Sequence, residues 1–294
     1  MTPNEFETRI VEWARRQPDI KALVQIGSRA QSGAAVDAWS DWDYQLIVRQ
    51  PARYHNRDWP AQIAPCWSAH FERTERAVTK LSAVFAGGWE ADFVLLSAWQ
   101  MKLVCAAMRH PGAQGWFPPA LRQGVHNLRL VAGPGYRVVL GGPAWERRYA
   151  ALEVPWPVPG FTAVDFQHHL AGFWRHAVWV AKKILRGELR AALRWSQVEL
   201  HEHTYALLAE EARLEGLASR PEARKAEQWL NARRLKQTAI VTGVEQAQLA
   251  RALLAELDLF VEVSASVASR RGFALADYSA VEAWLRSELA KLTG

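Results

Sequence analysis

The sequence predicts an α+β protein in two parts: an N-terminal domain built on a mixed sheet, then an all-helical bundle. Three observations carry that prediction. Short runs rich in β-branched and aromatic residues alternate with helical stretches through residues 1–153. From residue 161 onward, apolar residues recur almost purely at helical spacing. Between them, Val154-Pro155-Trp156-Pro157-Val158-Pro159-Gly160 can continue neither element, because its three prolines each remove a donor and fix φ. The expected domains are therefore 1–153 and 161–294, with 154–160 as a Pro-rich linker.

Thr2-Pro3 followed by Glu5 reads as an N-cap, a first-turn proline and a capping-box partner, which predicts a helix to about Arg16. Phe6, Ile10, Val11 and Trp13 supply its apolar positions at helical spacing. Ile20–Ile26 reads as a buried strand ending at Gly27-Ser28, and Tyr44–Val48 as a second. Residues 76–86 and 89–96 read as strands joined by a tight hairpin at Gly87-Gly88. A helix over Ser97–Arg109 and a short strand over Tyr136–Leu140 complete the first part. Helices over 161–187, 190–215, 221–235, 245–270 and 277–292 make up the second.

Composition narrows the function classes. With 294 residues, 50% hydrophobic and 22% charged, the chain can bury a large core and is not intrinsically disordered. Cys66 and Cys105 form no CxxC pair, so neither a disulfide framework nor a cysteine-built zinc site is expected. No uncharged apolar stretch approaches the ~18 residues of a membrane span. The start, MTPNEFETRI, lacks the basic-then-apolar layout of a secretory signal, so the expectation is a cytoplasmic protein with no membrane partner. The net charge of +6 comes from arginines scattered along helices rather than from a basic block, which makes nucleic acid the weaker partner reading.

Chemistry concentrates in Gly27-Ser28-Arg29, the twelve residues from Arg29 to Ser40, and Asp41-Trp42-Asp43. Strand residues two apart share a face, so Asp41 and Asp43 would project two carboxylates together at the mouth of the second strand. Like charges in one site repel unless something positive lies between them, and hard divalent cations such as Mg²⁺ fill that need with oxygen ligands and substrate phosphates. Gly27 would let the backbone approach a phosphate, amides at a following helix N-terminus would favour the anion, and the Ser28 hydroxyl could donate to it. Asp92, in the apolar strand Trp89–Leu96, is the candidate third carboxylate; Glu90 shares its face but lies nearer the turn. Singly, each feature has a plain structural reading as turn, cap or edge-strand carboxylate. The ordered combination points to a metal-assisted phosphate site.

This pattern resembles the nucleotidyltransferases of the DNA polymerase β superfamily, and among them the aminoglycoside 6-adenylyltransferases (streptomycin adenylyltransferases). Gly27, Ser28, Arg29, Asp41, Trp42 and Asp43 match the family's Gly-Ser-Arg, spacer and Asp-aromatic-Asp, Asp37 falls where it carries an acid in the spacer, and Asp92 matches its later strand Asp. Phe173-Trp174 and Val180-Ala181-Lys182 resemble a Phe-Trp and Val-x-Lys of its second half. The resemblance implies transfer of AMP from ATP to a hydroxyl of an aminoglycoside-like acceptor (the streptomycin 6-hydroxyl), release of pyrophosphate, and Mg²⁺ as cofactor. It implies Asp41, Asp43 and Asp92 as metal ligands, and Gly27, Ser28, Arg29 and Lys182 on the nucleotide. The partners are then ATP and a small hydroxylated acceptor.

The chain departs from the family on the acceptor side. Asp165-Phe166-Gln167-His168-His169-Leu170-Ala171-Gly172 keeps only Asp165 of several acidic or amide positions, with His168 and Gly172 standing where the family has acids. Gly141-Gly142-Pro143 replaces an Asp-Lys-Asp. Asp165 and His168 are alternative general bases, the latter because an unperturbed imidazole titrates near neutrality, while a solvated helix face is the plain reading of His168. His201 and His203, two apart on a helix, do not share a face for zinc. Trp39 and Trp42 read as packing residues or as a nucleotide wall. Two other functions stay open: adenylylation of a protein or RNA partner, and a nucleotide-binding sensor without transfer activity.

Overall fold

The computed structural model of the chain describes all residues except 32–38, 74–77, 156–159, 218, 220–222 and 294. Asp37 and the centre of the Pro-rich segment lie outside the described residues. The chain divides into two compact units, Met1–Val158 and Pro159–Gly294.

The first unit opens with α1 (Pro3–Arg16), whose capping box is formed: Thr2 Oγ1 accepts from the Glu5 N–H at 3.2 Å, and Glu5 Oε2 accepts from the Thr2 N–H at 2.8 Å. The strands β1 (Ile20–Ile26), β2 (Trp42–Val48), β3 (Cys66–Arg73), β4 (Thr79–Phe85), β5 (Trp89–Ser97) and β6 (Arg137–Leu140) form one sheet in the order β3-β4-β5-β2-β1-β6. Only the β2–β5 pair is parallel among the described strands. A three-residue turn, Ala86-Gly87-Gly88, joins β4 to β5, and both of its glycines take positive φ angles.

Each face of the sheet has its own core. Phe6, Ile10 and Trp13 of α1 pack with Leu23, Trp42, Tyr44, Leu81, Phe85 and Phe93 on one face. On the other face, α2 (Ala98–Ala107), α3 (Pro119–Ala132) and α4 (Gly142–Tyr149) cover Val24, Ile26 and Ile47 with Met101, Cys105, Leu128 and Trp145. Burial of such side chains at roughly 1.5–3 kcal/mol apiece holds the sheet rigid between two apolar layers.

Three elements of this unit were not predicted. β3 is a half-exposed edge strand whose Ser68, His70 and Glu72 break up any apolar run. α3 begins after Pro118 and α4 after Gly141, both without a side-chain cap, so a first-turn proline (Pro119, Pro143) is the one start signal each carries.

The second unit is helical throughout its described elements. α5 (Ala163–Leu185) starts at a capping box made by Thr162 and Asp165. α6 (Leu189–Trp195) runs through a π-helical turn, Ser196–Leu200, into α7 (His201–Leu214), as one predicted helix does. The single helix expected over 221–235 is corrected to two short ones, α8 (Ala226–Trp229) and α9 (Ala232–Thr238), with residues 221–222 outside the described set. The chain breaks at Leu230, and Asn231 caps α9 by accepting from the Arg234 N–H at 3.0 Å. α10 (Gln246–Arg271) and α11 (Ser279–Ala290) complete the unit. Phe173 stacks on Phe260 at the centre of its core, with ring centroids 3.6 Å apart.

Candidate active site

The sheet register assembles the acidic residues. Ile26, the last residue of β1, lies opposite Asp43, and Asp43 lies opposite Asp92 across the parallel β2–β5 pair. Asp41 precedes Asp43 by two residues, so strand alternation returns its side chain to the same face. One carboxylate oxygen from each of Asp41, Asp43 and Asp92 lies within 4.8 Å of the others, and all three residues are half-buried. Neighbouring strands thus hold three negative charges in one small volume, with hard oxygen donors only. That donor set fits a divalent ion such as Mg²⁺.

Gly27 is required here for two reasons. Its φ of 71° and ψ of −159° lie in a region open essentially to glycine alone. A Cβ at this position would also lie 2.9 Å from Asp43 Cγ and closer still to Oδ2. The bare backbone therefore makes room for the Asp43 carboxylate itself. The helix expected after it is corrected to a three-residue 3-10 turn, Ser28–Ala30, too short to bring a helix dipole to the site.

Arg29 ties that turn to the entry of β2. Its Nε donates to the carbonyls of Ser40 and Asp41, both at 3.1 Å, and Nη2 donates to Ser40 at 2.7 Å. Its guanidinium carbon lies 3.6 Å from the Trp42 ring centroid. Trp42 is 1% exposed and packs edge-on against Phe6 and Trp89, whereas Trp39 is 94% exposed.

Two residues at the acidic cluster escaped the sequence reading. Lys80 Nζ lies 2.8 Å from Asp92 Oδ2 and 3.1 Å from Glu72 Oε2. Burial works against the Lys80 ammonium, but the hydrogen bonds to Asp92 and Glu72 outweigh it and raise its pKa. Strand alternation could have placed Lys80 on the face of Asp92; Glu72 belongs to the unpredicted β3.

The remaining candidates lie on α5 of the second unit. Asp165 Oδ2 accepts from the Thr162 N–H at 2.9 Å and from Thr162 Oγ1 at 2.7 Å, which holds its carboxyl below the usual range. His168 and Lys182 are exposed. His203 of α7 is 5% exposed and meets two imidazoles of α5: Nδ1 lies 3.1 Å from His169 Nδ1, and Nε2 lies 3.2 Å from His176 Nδ1. Burial first, then the neighbouring His169, His176 and His168, push the His203 pKa down to about 4. This network explains the glycine at 172, since a Cβ there would lie 3.1 Å from His203 Nδ1 and closer still to its Cε1 and Nε2. His201 turns elsewhere, its Nε2 3.5 Å from Glu256.

No curated protein matches the chain. Among solved structures, an aminoglycoside 6-adenyltransferase from Bacillus subtilis is 13% identical, with 98% of this chain and 99% of that chain covered and a TM-score of 0.44. A nucleotidyltransferase-like protein from Exiguobacterium sibiricum is 12% identical, with 98% and 88% covered and a TM-score of 0.31. Residues 2–103 match the model of the streptomycin adenylyltransferase family, and that span contains Gly27, Asp41, Asp43 and Asp92. Over residues 2–103 the chain is therefore aminoglycoside adenylyltransferase-like, a similarity that supports nucleotidyltransferase activity.

Proposed function

We propose that the protein transfers AMP from ATP to a hydroxyl of an aminoglycoside-like acceptor, the streptomycin 6-hydroxyl by resemblance, and releases pyrophosphate. The observation that carries this reading is the convergence of Asp41, Asp43 and Asp92 beside the Gly27 turn. Those three carboxylates would hold Mg²⁺, which supplies charge neutralisation for the triphosphate and polarises oxygen at the reacting phosphorus. Phosphoryl-type transfers depend chiefly on positioning and charge compensation, and rigid strands supply the positioning here.

The protein residues then divide the work. Gly27 admits the Asp43 carboxylate against the turn, and Ser28 offers its hydroxyl to a phosphate oxygen. Arg29 acts through the backbone: by holding the carbonyls of Ser40 and Asp41 it fixes the direction of Asp41. On α5, Lys182 is assigned to the triphosphate. Of the two general-base candidates, His168 is preferred for the acceptor hydroxyl, because Asp165 is engaged by Thr162 and its lowered pKa makes it a poor proton acceptor. None of the described helices is long and apolar enough to cross a membrane. A cytoplasmic location, where ATP is supplied, goes with this reading, as does a role in antibiotic resistance.

The test is a calorimetric titration of the protein with streptomycin in the presence of Mg²⁺ and a non-hydrolysable ATP analogue. Saturable binding of both ligands is expected. Nucleotide binding with no response to streptomycin moves the acceptor to a protein or RNA, or leaves a nucleotide sensor. Absence of nucleotide binding overturns the proposal.

A further inference from the structure

We propose that Lys80 is a positioning residue that holds the Asp92 carboxylate in place and competes with a divalent cation for it, so that this ammonium sets how tightly the ion is bound. The inference rests on the reading of Asp41, Asp43 and Asp92 as an ion site and adds a fourth, cationic member to it.

The sheet register makes the arrangement. Lys80 lies directly opposite Glu72 across β3–β4, and its strand neighbour two residues on, Ser82, lies opposite Asp92 across β4–β5. Lys80 and Asp92 are therefore diagonal partners on one face, and long side chains span that diagonal. The ammonium reaches both carboxylates at once, at 2.8 Å from Asp92 and 3.1 Å from Glu72. Before an ion binds, Lys80 offsets one of three converging negative charges and pins Asp92 at the edge of the cluster. When an ion takes the Asp92 oxygen, the two cations repel. Glu72 lies within reach to receive the ammonium, which has three donors on a flexible stem. Lys80 and Asp92 side chains are only 24% and 20% exposed, so solvent screens this competition incompletely.

The experiment is titration of the full chain with Mn²⁺, followed by electron paramagnetic resonance of the free ion, without nucleotide. A unit charge ~5 Å from a divalent ion, even at the dielectric constant of water, changes affinity on the order of tenfold. Lys80→Met is expected to bind Mn²⁺ about tenfold more tightly than wild type. Lys80→Arg, which keeps the charge, is expected to bind as wild type does. Glu72→Gln, which removes the alternative acceptor, is expected to weaken binding; Glu72 is nearly half exposed, so this variant also serves if Lys80→Met does not fold. Unchanged or weaker Mn²⁺ binding in Lys80→Met, with Asp43→Asn still abolishing it, overturns the role of Lys80 alone. Wild-type Mn²⁺ binding in Asp43→Asn overturns the ion site beneath it. If Lys80→Met does not fold, wild-type affinity in Glu72→Gln overturns the competition.

Discussion

Replacing Gly27 with alanine tests the turn and the acidic cluster together. Two costs follow from the structure. The backbone at φ 71° and ψ −159° is strained for any residue with a Cβ, a cost on the order of 1–3 kcal/mol. Separately, the new methyl would lie 2.9 Å from Asp43 Cγ, with the carboxylate oxygen closer, so the carboxylate has to turn aside by roughly 1 Å, and a misplacement of that size lowers turnover about 10²-fold. Gly88→Ala separates the two costs. Its φ is also positive, at 77°, but no atom lies within 4 Å of the added Cβ. Urea unfolding measures the backbone cost in both variants, and pyrophosphate release with ATP, Mg²⁺ and streptomycin measures the second. Both variants are expected to lose stability, and only Gly27→Ala to lose transfer. Wild-type turnover by folded Gly27→Ala would refute the claim that this carboxylate needs the space a glycine leaves.

Further predictions follow from other contacts. Arg29→Met removes the hold on Ser40 and Asp41, so turnover should fall roughly 10–100-fold, within the range that a small misplacement commands, while the urea midpoint moves little; equal turnover in steady-state kinetics contradicts the positioning role. Arg234 is 5% exposed and donates twice to Glu211, at 2.7 and 2.8 Å, so Arg234→Ala strands a buried carboxylate and should cost about 3–5 kcal/mol in urea unfolding. His203 titrates near 6.5 when unfolded and near 4 when folded, so the unfolded chain takes up the proton first as pH falls. Stability from this group is complete above about pH 6.5 and is lost toward pH 4, by at most about 3 kcal/mol; His203→Asn should flatten that part of the denaturation pH profile, and an unaltered profile contradicts the assignment.

Local signals in the sequence translated directly into structure where one residue type serves one geometric need. Thr2, Pro3 and Glu5 mark the start of α1 because capping is settled within a single turn. The period of two in Asp41-Trp42-Asp43 assigns the carboxylates to the site face and the indole to the core, so both halves of that motif were legible. Long-range pairing was not. Lys80 meets Asp92 through the β4–β5 hairpin that the Gly87-Gly88 turn does announce, yet Glu72 joins them only because an edge strand with little apolar character adds to β4. The His169–His203–His176 network depends on α5 packing against α7, and no spacing within either helix announces it. It does supply a physical reason for the glycine at 172, which as sequence reads only as a missing acid. The break between α8 and α9 was missed because periodicity continues across it while Asn231 starts a new helix.

The most direct test of the central claim is mass spectrometry of streptomycin after incubation with ATP, Mg²⁺ and either wild type or Asp43→Asn, the two proteins matched by circular dichroism. The account predicts an AMP adduct and an equal amount of pyrophosphate with wild type, and neither with Asp43→Asn. Formation of the adduct by Asp43→Asn at the wild-type rate would contradict it.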